Sequence, residues 1–187
     1  KLVIEANGKG ALLTTSLRPH LIWGPDDPHL MPRLIQKAKD GKLLKIGEGK
    51  NRIDTIYVEN AAAAHLLAAD HLYPGSPVAG QCYFISDGKP VVLWDFISQV
   101  LKKLEIPPIK RSVSYNTAKI IGLFLEIFHR ILNLKKEPVM TRLLAAQLAT
   151  SHFFDISRAR RDFGYNPIIN IEEGLERLLS GIMERTG

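Results

Sequence analysis

The sequence predicts an α/β fold: the C-terminal part of a doubly wound parallel sheet joined to a mainly helical lobe. Strand-like and helix-like segments alternate through the first 90 residues, the pattern of a parallel sheet with crossover helices. Beyond them the apolar residues recur almost throughout at helical spacing. Composition agrees: 45% of the 187 residues are hydrophobic and 24% charged, an ordinary globular mixture long enough to bury a core without staples.

Taken in order, Lys1–Asn7 reads as the last turns of a helix stopped by Gly8, with Leu2, Val3 and Ala6 on one face. Neither an initiator Met nor an N-cap precedes it, so the chain reads as part of a longer protein. Ala11–Leu17 is a strand candidate bounded by Gly10 and Pro19, and Trp23–Pro28 is turn chemistry. A helix is expected over Leu30–Lys39, with Leu30, Leu34 and Ala38 on one face and Gly41 ending it. Short strands are expected at Leu43–Ile46 and Ile53–Val58 around the turn-rich Gly47–Asn51. An alanine-rich helix follows over Glu59–Leu72, suited to close packing on a sheet, and then a buried strand over Gln81–Ser86. Helices are expected at Trp94–Leu104, Asn116–Leu134, Thr141–Ala149 and Ile171–Met183, the last favoured at its start by Glu172 and Glu173. Phe153–Ile156 is read as a short strand.

Charge is uneven. The net charge is +6, and residues 101–142 carry nine basic side chains against three acids, while the remainder balances. A local basic excess suits an anionic surface, membrane or nucleic acid, and equally a solvated face. Asn116–Leu134 is too charged to span a bilayer yet apolar enough to lie in a lipid interface or wall a greasy pocket. Its stretch lacks interleaved aromatic stacking platforms, which counts against nucleic acid. The one cysteine, Cys82, lies in an apolar run and reads as a buried structural thiol in a reducing, cytoplasmic setting. No Cys/His spacing resembles a metal site, and His65 reads as packed or capping rather than a ligand.

Three stretches together resemble the extended short-chain dehydrogenases. They are Leu17-Arg18-Pro19-His20-Leu21-Ile22-Trp23-Gly24-Pro25, then Asp54-Thr55-Ile56-Tyr57-Val58-Glu59-Asn60 with Ala64-His65, then Phe154-Asp155-Ile156-Ser157-Arg158-Ala159 with Phe163-Gly164-Tyr165-Asn166-Pro167. In order, they cover nearly the whole chain. The sequence is most similar to the 3β-hydroxysteroid (sterol) dehydrogenases, through Arg18-Pro19-His20, Gly24-Pro25-Asp26-Asp27-Pro28 and Tyr57-Val58-Glu59-Asn60. Nucleotide-sugar epimerases and dehydratases share the frame but usually have Arg before the Asp of the second stretch. Here that position is Ile53, which cannot grip a diphosphate, and Arg52 points to the opposite face of a strand.

The resemblance implies a Rossmann-type sheet from residues 1–24 and 53–86, a substrate-binding lobe from 25–52 and 87–187, and NAD or NADP as cofactor. It implies an oxidoreductase acting on a hydrophobic 3β-hydroxy or 3-oxo substrate. Dihydroflavonol-type reductases, acyl β-keto acid reductases, sugar-nucleotide enzymes and non-catalytic dinucleotide binders are the alternatives. It places Pro19, His20, Leu21 and Ile22 beside the nicotinamide, and Met31, Leu34 and Ile35 toward the substrate, although an ordinary core helix accounts for those three equally well. The family's tyrosine–lysine pair and Gly-rich loop are expected upstream, leaving no catalytic residue and no activity in this chain alone. Tyr115-Asn116-Thr117-Ala118-Lys119 has the pair's spacing but comes after the strand that should follow the pair, so it is read as a coincidence. A peripheral membrane contact through 116–136 and a homodimer complete the expected associations.

Overall fold

The computed structural model describes residues 1–28 and 30–186. In chain order its elements are α1 (Leu2–Glu5), β1 (Ser16–Pro19), β2 (Ile22–Trp23), α2 (Leu30–Lys39), β3 (Lys45–Ile46), β4 (Arg52–Ile53), β5 (Ile56–Tyr57), α3 (Val58–Asp70), β6 (Cys82–Ile85), β7 (Val91–Val92), α4 (Leu93–Lys103), β8 (Ser112–Val113), α5 (Tyr115–Ile131), α6 (Arg142–Ala149), α7 (Ser157–Phe163) and α8 (Ile171–Thr186). Strands pair as β1–β6, β2–β5 and β3–β8, all parallel, and as the antiparallel β4–β7.

Two compact units result. The first holds residues 1–27, 54–90 and 153–187, and the second holds 28–53 and 91–152. The sequence boundaries put all of 87–187 in the helical lobe, whereas 87–90 and the tail from 153 pack in the first unit. The reason is visible in the core. Ile156, Ala159, Phe163 and Tyr165 from the tail join Ile56, Val78, Tyr83, Ile85 and the inward face of α3, where Ala61, Ala64 and Ala68 recur at helical spacing. A pattern that reads simply as helix does not say which sheet the helix covers.

The second unit is built around α4, whose Leu93, Trp94, Phe96, Ile97, Val100 and Leu101 are buried. The Trp94 indole N–H donates to the Leu148 carbonyl at 3.1 Å, tying α4 to the end of α6. Ser114 caps α5 by accepting from the Thr117 amide, and Thr141 caps α6 by accepting from Leu144. Gly164 ends α7 in the left-handed conformation, which glycine adopts without a Cβ penalty.

Three strand expectations change. The strand read over 53–58 divides into β4 and β5, and Val58 opens α3. The strand read over 11–17 begins later, as β1 at Ser16; before it the Thr14 amide is taken by Asn7 Oδ1, and the Thr14 carbonyl accepts from the Gly80 amide. No strand forms over 153–156. There the Phe154 amide donates to Asp54 Oδ2 and the Ser157 amide to Asp155 Oδ1, and the nearest pairing is an isolated bridge between Ile53 and His152. β7 and β8, two residues each, were not expected at all. Cys82 is half-buried rather than buried, with the Arg18 guanidinium 3.5 Å from its sulfur.

Candidate functional site

In parallel sheets ligands bind beyond the carboxyl ends of the strands. In the first unit β1 and β6 end together, with Pro19 opposite Ile85. The His20 amide continues the ladder to the Ile85 carbonyl at 3.4 Å. Leu21 then adopts φ 44°, a left-handed conformation costly for a residue with a Cβ. Its carbonyl accepts from the Ile56 amide at 3.2 Å, passing the chain into β2 beside β5. Gly24 completes the turn. A Cβ there would lie 2.7 Å from Val58 Cγ1, so the position admits only glycine.

An aromatic row sits on the outward face of this strand pair. The Phe84 and Phe154 rings stack at 4.0 Å, His20 meets Phe154 edge-on at 5.3 Å, and the Arg18 guanidinium lies 5.7 Å over Phe84. The tail therefore holds the His20 ring in place. Phe84 and Phe154 carry no sequence signal for this role beyond their aromaticity.

The second of the three family-like stretches, from Asp54 to Asn60, builds a brace. Asp87 accepts from the Tyr57 amide at 3.0 Å, from Asn60 Nδ2 at 2.7 Å and from Thr55 Oγ1 at 3.2 Å. Asn60, fully buried, also donates to the Ile169 carbonyl and accepts from the Ile168 and Ile169 amides. Burial pushes the Asp87 carboxyl up, and the donors around it oppose that push without cancelling it. These polar groups are spent on protein partners, so the brace fixes the β5–α3 junction and leaves Asp87 engaged on its own scaffold.

The resemblance to the short-chain dehydrogenases implies a phenol with a lowered pKa. The buried tyrosines move the other way: burial raises Tyr57 and Tyr165, and it pushes Tyr83 up to about 12 with help from its bond to Asp162. The Tyr115–Lys119 pair lies in the first turns of α5 with the ammonium 5.9 Å from the ring centroid, and Tyr115 lines a cavity of about 680 Å³ in the second unit with Lys50, Asn51 and Ser114. Met31 is buried in α2, and Leu34 and Ile35 are half-buried there; the Leu30 side chain lies outside the described residues. His65 turns its Nδ1 to the Ala61 carbonyl one turn back. Among the described residues no group of three or more His, Cys, Asp or Glu is placed to hold a metal. Ile53 is buried and Arg52 exposed, as strand alternation requires.

Parallel strands with crossover helices, a glycine-dependent turn at their carboxyl ends and a second helical unit define the class: a Rossmann-type α/β fold. The fold is shared with a dTDP-glucose 4,6-dehydratase of Streptomyces venezuelae, solved with NAD, at TM-score 0.67 and 17% identity over 100% of this chain and 48% of that one. Residues 1–114 match the model of the 3-beta hydroxysteroid dehydrogenase/isomerase family, and the chain belongs to that family. It is 46% identical over 94% of its length to a 2-alkyl-3-oxoalkanoate reductase of Stenotrophomonas maltophilia, covering 53% of that protein. It is 33% identical over 95% of its length to a mouse sterol-4-alpha-carboxylate 3-dehydrogenase, decarboxylating, covering 50% of it. The chain thus spans about half the length of the curated relatives it matches.

Proposed function

We propose that this chain is part of an NAD(P)-dependent oxidoreductase that interconverts a hydroxyl and a ketone at C3 of a hydrophobic substrate carrying a carboxylate on the neighbouring carbon. The observation that carries this reading is the 46% identity to the alkyl-oxoalkanoate reductase across 94% of the chain. The sterol relative supports the same chemistry. One name puts an oxo group at C3 and an alkyl group at C2 beside the carboxyl carbon. The other puts the reacting oxygen at C3 and the carboxylate on C4. Both describe β-oxygenated acids with a large apolar body, and the higher identity favours the acyl member over the sterol expected from sequence motifs.

In this reading NAD(P) accepts or supplies the hydride. The chain's own residues position it. The left-handed Leu21 backbone, the His20 ring held by Phe154 and the partly exposed Ile22 border the nicotinamide end, where Pro19 has no N–H to compete. The Gly-rich turn for the pyrophosphate and the phenol–ammonium pair belong to the remainder of the protein, so the chain alone is expected to turn over nothing. Met31, Leu34 and Ile35 contribute apolar surface for the substrate body, and the buried Ile53 argues against a diphosphate.

A substrate panel on the full-length protein tests this, following NAD(P)H absorbance. Turnover is expected with 2-alkyl-3-hydroxy or 3-oxo acids and weaker turnover with 3β-hydroxysteroids lacking a carboxylate. Turnover of UDP- or dTDP-sugars with none on the acids would overturn it.

A further inference from the structure

The cavity of about 680 Å³ in the second unit has no part in the oxidoreductase reading. It lies between the loop from β3 to β4, the first turn of α5 and the chain that leaves α6, and a volume of this order accommodates a small organic molecule. Ser112, Ser114, Asn116 and Ser151 bring hydroxyls and an amide to its wall, and Val113 and the Tyr115 ring bring apolar surface. Asn51 lines it too and is only 6% exposed. Its Nδ2 turns to the Thr150 carbonyl at 3.5 Å, which sets the orientation of the amide, since the flipped amide would place two oxygens against each other. Oδ1 is thereby left without a hydrogen-bond partner among the described residues. A buried acceptor without a donor is costly, and a bound molecule carrying an O–H or N–H group relieves that cost.

Another part of the wall attracts anions. Ser114 accepts from the Thr117 amide, so at the start of this 17-residue helix the Tyr115 and Asn116 amides stand ahead of the helical ladder. The helix dipole adds positive potential at the same place. Lys50 lies at the rim of the cavity, and Lys45 runs beneath Gly49, its Nζ 3.2 Å from where a Cβ would stand. Glu48, 3.5 Å from Lys50 Nζ, is the one acid among the described lining residues. Two open amides and two lysines match the three oxygens and double charge of a phosphate better than the two oxygens and single charge of a carboxylate.

We infer that this cavity binds a hydroxylated phosphomonoester, its phosphate at the start of α5 beside Lys50 and one hydroxyl donating to Asn51 Oδ1. The inference is independent of the catalytic reading, because binding is measured without turnover. The test is isothermal titration calorimetry of the full-length protein, with NADH and NADPH in excess so that a dinucleotide site is filled. The probes are ribose 5-phosphate, inorganic phosphate and ribose. Ribose 5-phosphate is expected to bind, inorganic phosphate to bind about tenfold more weakly and ribose not measurably. Lys50→Glu is expected to weaken both phosphates at least about tenfold, and Glu48→Gln to strengthen both about threefold at low salt. Asn51→Ala is expected to bring ribose 5-phosphate down to the level of inorganic phosphate while leaving inorganic phosphate unchanged. Lys50 and Glu48 are exposed, so their variants test the site even where Asn51→Ala fails to fold. AMP as a fourth probe separates the two sources of this chemistry: tighter binding than ribose 5-phosphate assigns the site to a nucleotide whose base stacks on Tyr115, and weaker binding assigns it to a sugar phosphate. No binding of ribose 5-phosphate by wild type, or wild-type affinity in Lys50→Glu, overturns the inference. So does an Asn51→Ala variant that folds and keeps the full preference for ribose 5-phosphate.

Discussion

At the scale of single residues, Asp87 shows how a motif is completed by a side chain that the motif does not contain. The run from Asp54 to Asn60 was legible in sequence as a unit, but its acceptor lies 27 residues beyond Asn60, in the loop after β6, where nothing periodic marks it. Because burial raises the Asp87 carboxyl above the ordinary carboxylate range, the native state binds that proton more tightly than the unfolded chain does. Stability contributed at this position is therefore highest in acid and falls as pH rises from the ordinary value of about 4 to the raised folded value. In Asp87→Asn an amide oxygen can still accept from Tyr57 and Asn60, and Thr55 can turn to accept from the amide nitrogen. Urea midpoints measured from about pH 4 to pH 7 should fall less steeply for this variant than for wild type; equal slopes would mean that Asp87 titrates normally. The Tyr115–Lys119 spacing is a contrasting case, a legible pattern expected to carry no chemistry. Tyr115→Phe in the full-length protein should leave kcat within about twofold of wild type, whereas loss of a true general base costs 10²- to 10⁴-fold.

Among elements, helices were more fully legible than strands, of which β6 formed inside its expected 81–86 and β3 inside 43–46, and the reason is physical. α2 runs over the residues its 3.6-residue period marks, and α4, α5 and α6 begin within a residue or so of their expected starts. Strands of two residues, such as β4, β7 and β8, contain one alternation at most, so no period exists to read. Phe153–Ile156 has strand-like composition, but its backbone is claimed by Asp54 and Asp155 before a ladder can form. Residue type also hides contact distance. Gly122 and Gly181 look alike as helix-interior glycines, yet an added Cβ at Gly122 meets the Thr141–Arg142 backbone at 2.6–2.7 Å, while at Gly181 it meets only Pro25 Cβ at 3.5 Å. Gly181→Ala should stabilise by about 0.5–1 kcal/mol through helix propensity. Gly122→Ala should destabilise by about 1–3 kcal/mol, because α5 and α6 must separate to admit the methyl group. Urea unfolding of the two variants side by side decides it, and a stabilised Gly122→Ala would show that the contact between the helices is loose.

At the scale of the whole molecule, the fold class follows from the alternation of elements, whereas the assignment of the tail does not. Residues 153–187 complete the first unit through side chains that only three dimensions bring to α3 and β6. The same unit shows where a longer polypeptide would add structure. Along β1 the Ser16 amide bonds Gln81 and the His20 amide bonds Ile85, so in a parallel ladder the intervening even-numbered residue faces β6 and Leu17 faces away. Pro19 shares that outer parity, which is why its missing N–H removes nothing from the pairing with β6. Beside this edge lies a groove of about 470 Å³ lined by Val3, Leu13, Leu17, Ala68 and Leu72. A two-stranded parallel pair with such an edge is marginal by itself. In a polypeptide of the relatives' length, a further strand against β1 would bond the Leu17 amide and fill the groove. Hydrogen exchange followed by mass spectrometry should then show the Leu17 amide protected about 100-fold more in the long form than in the 187-residue chain, with Ser16 changing less. Equal exchange of Leu17 in both would make β1 the true border of the sheet and would require any added segment to fold elsewhere.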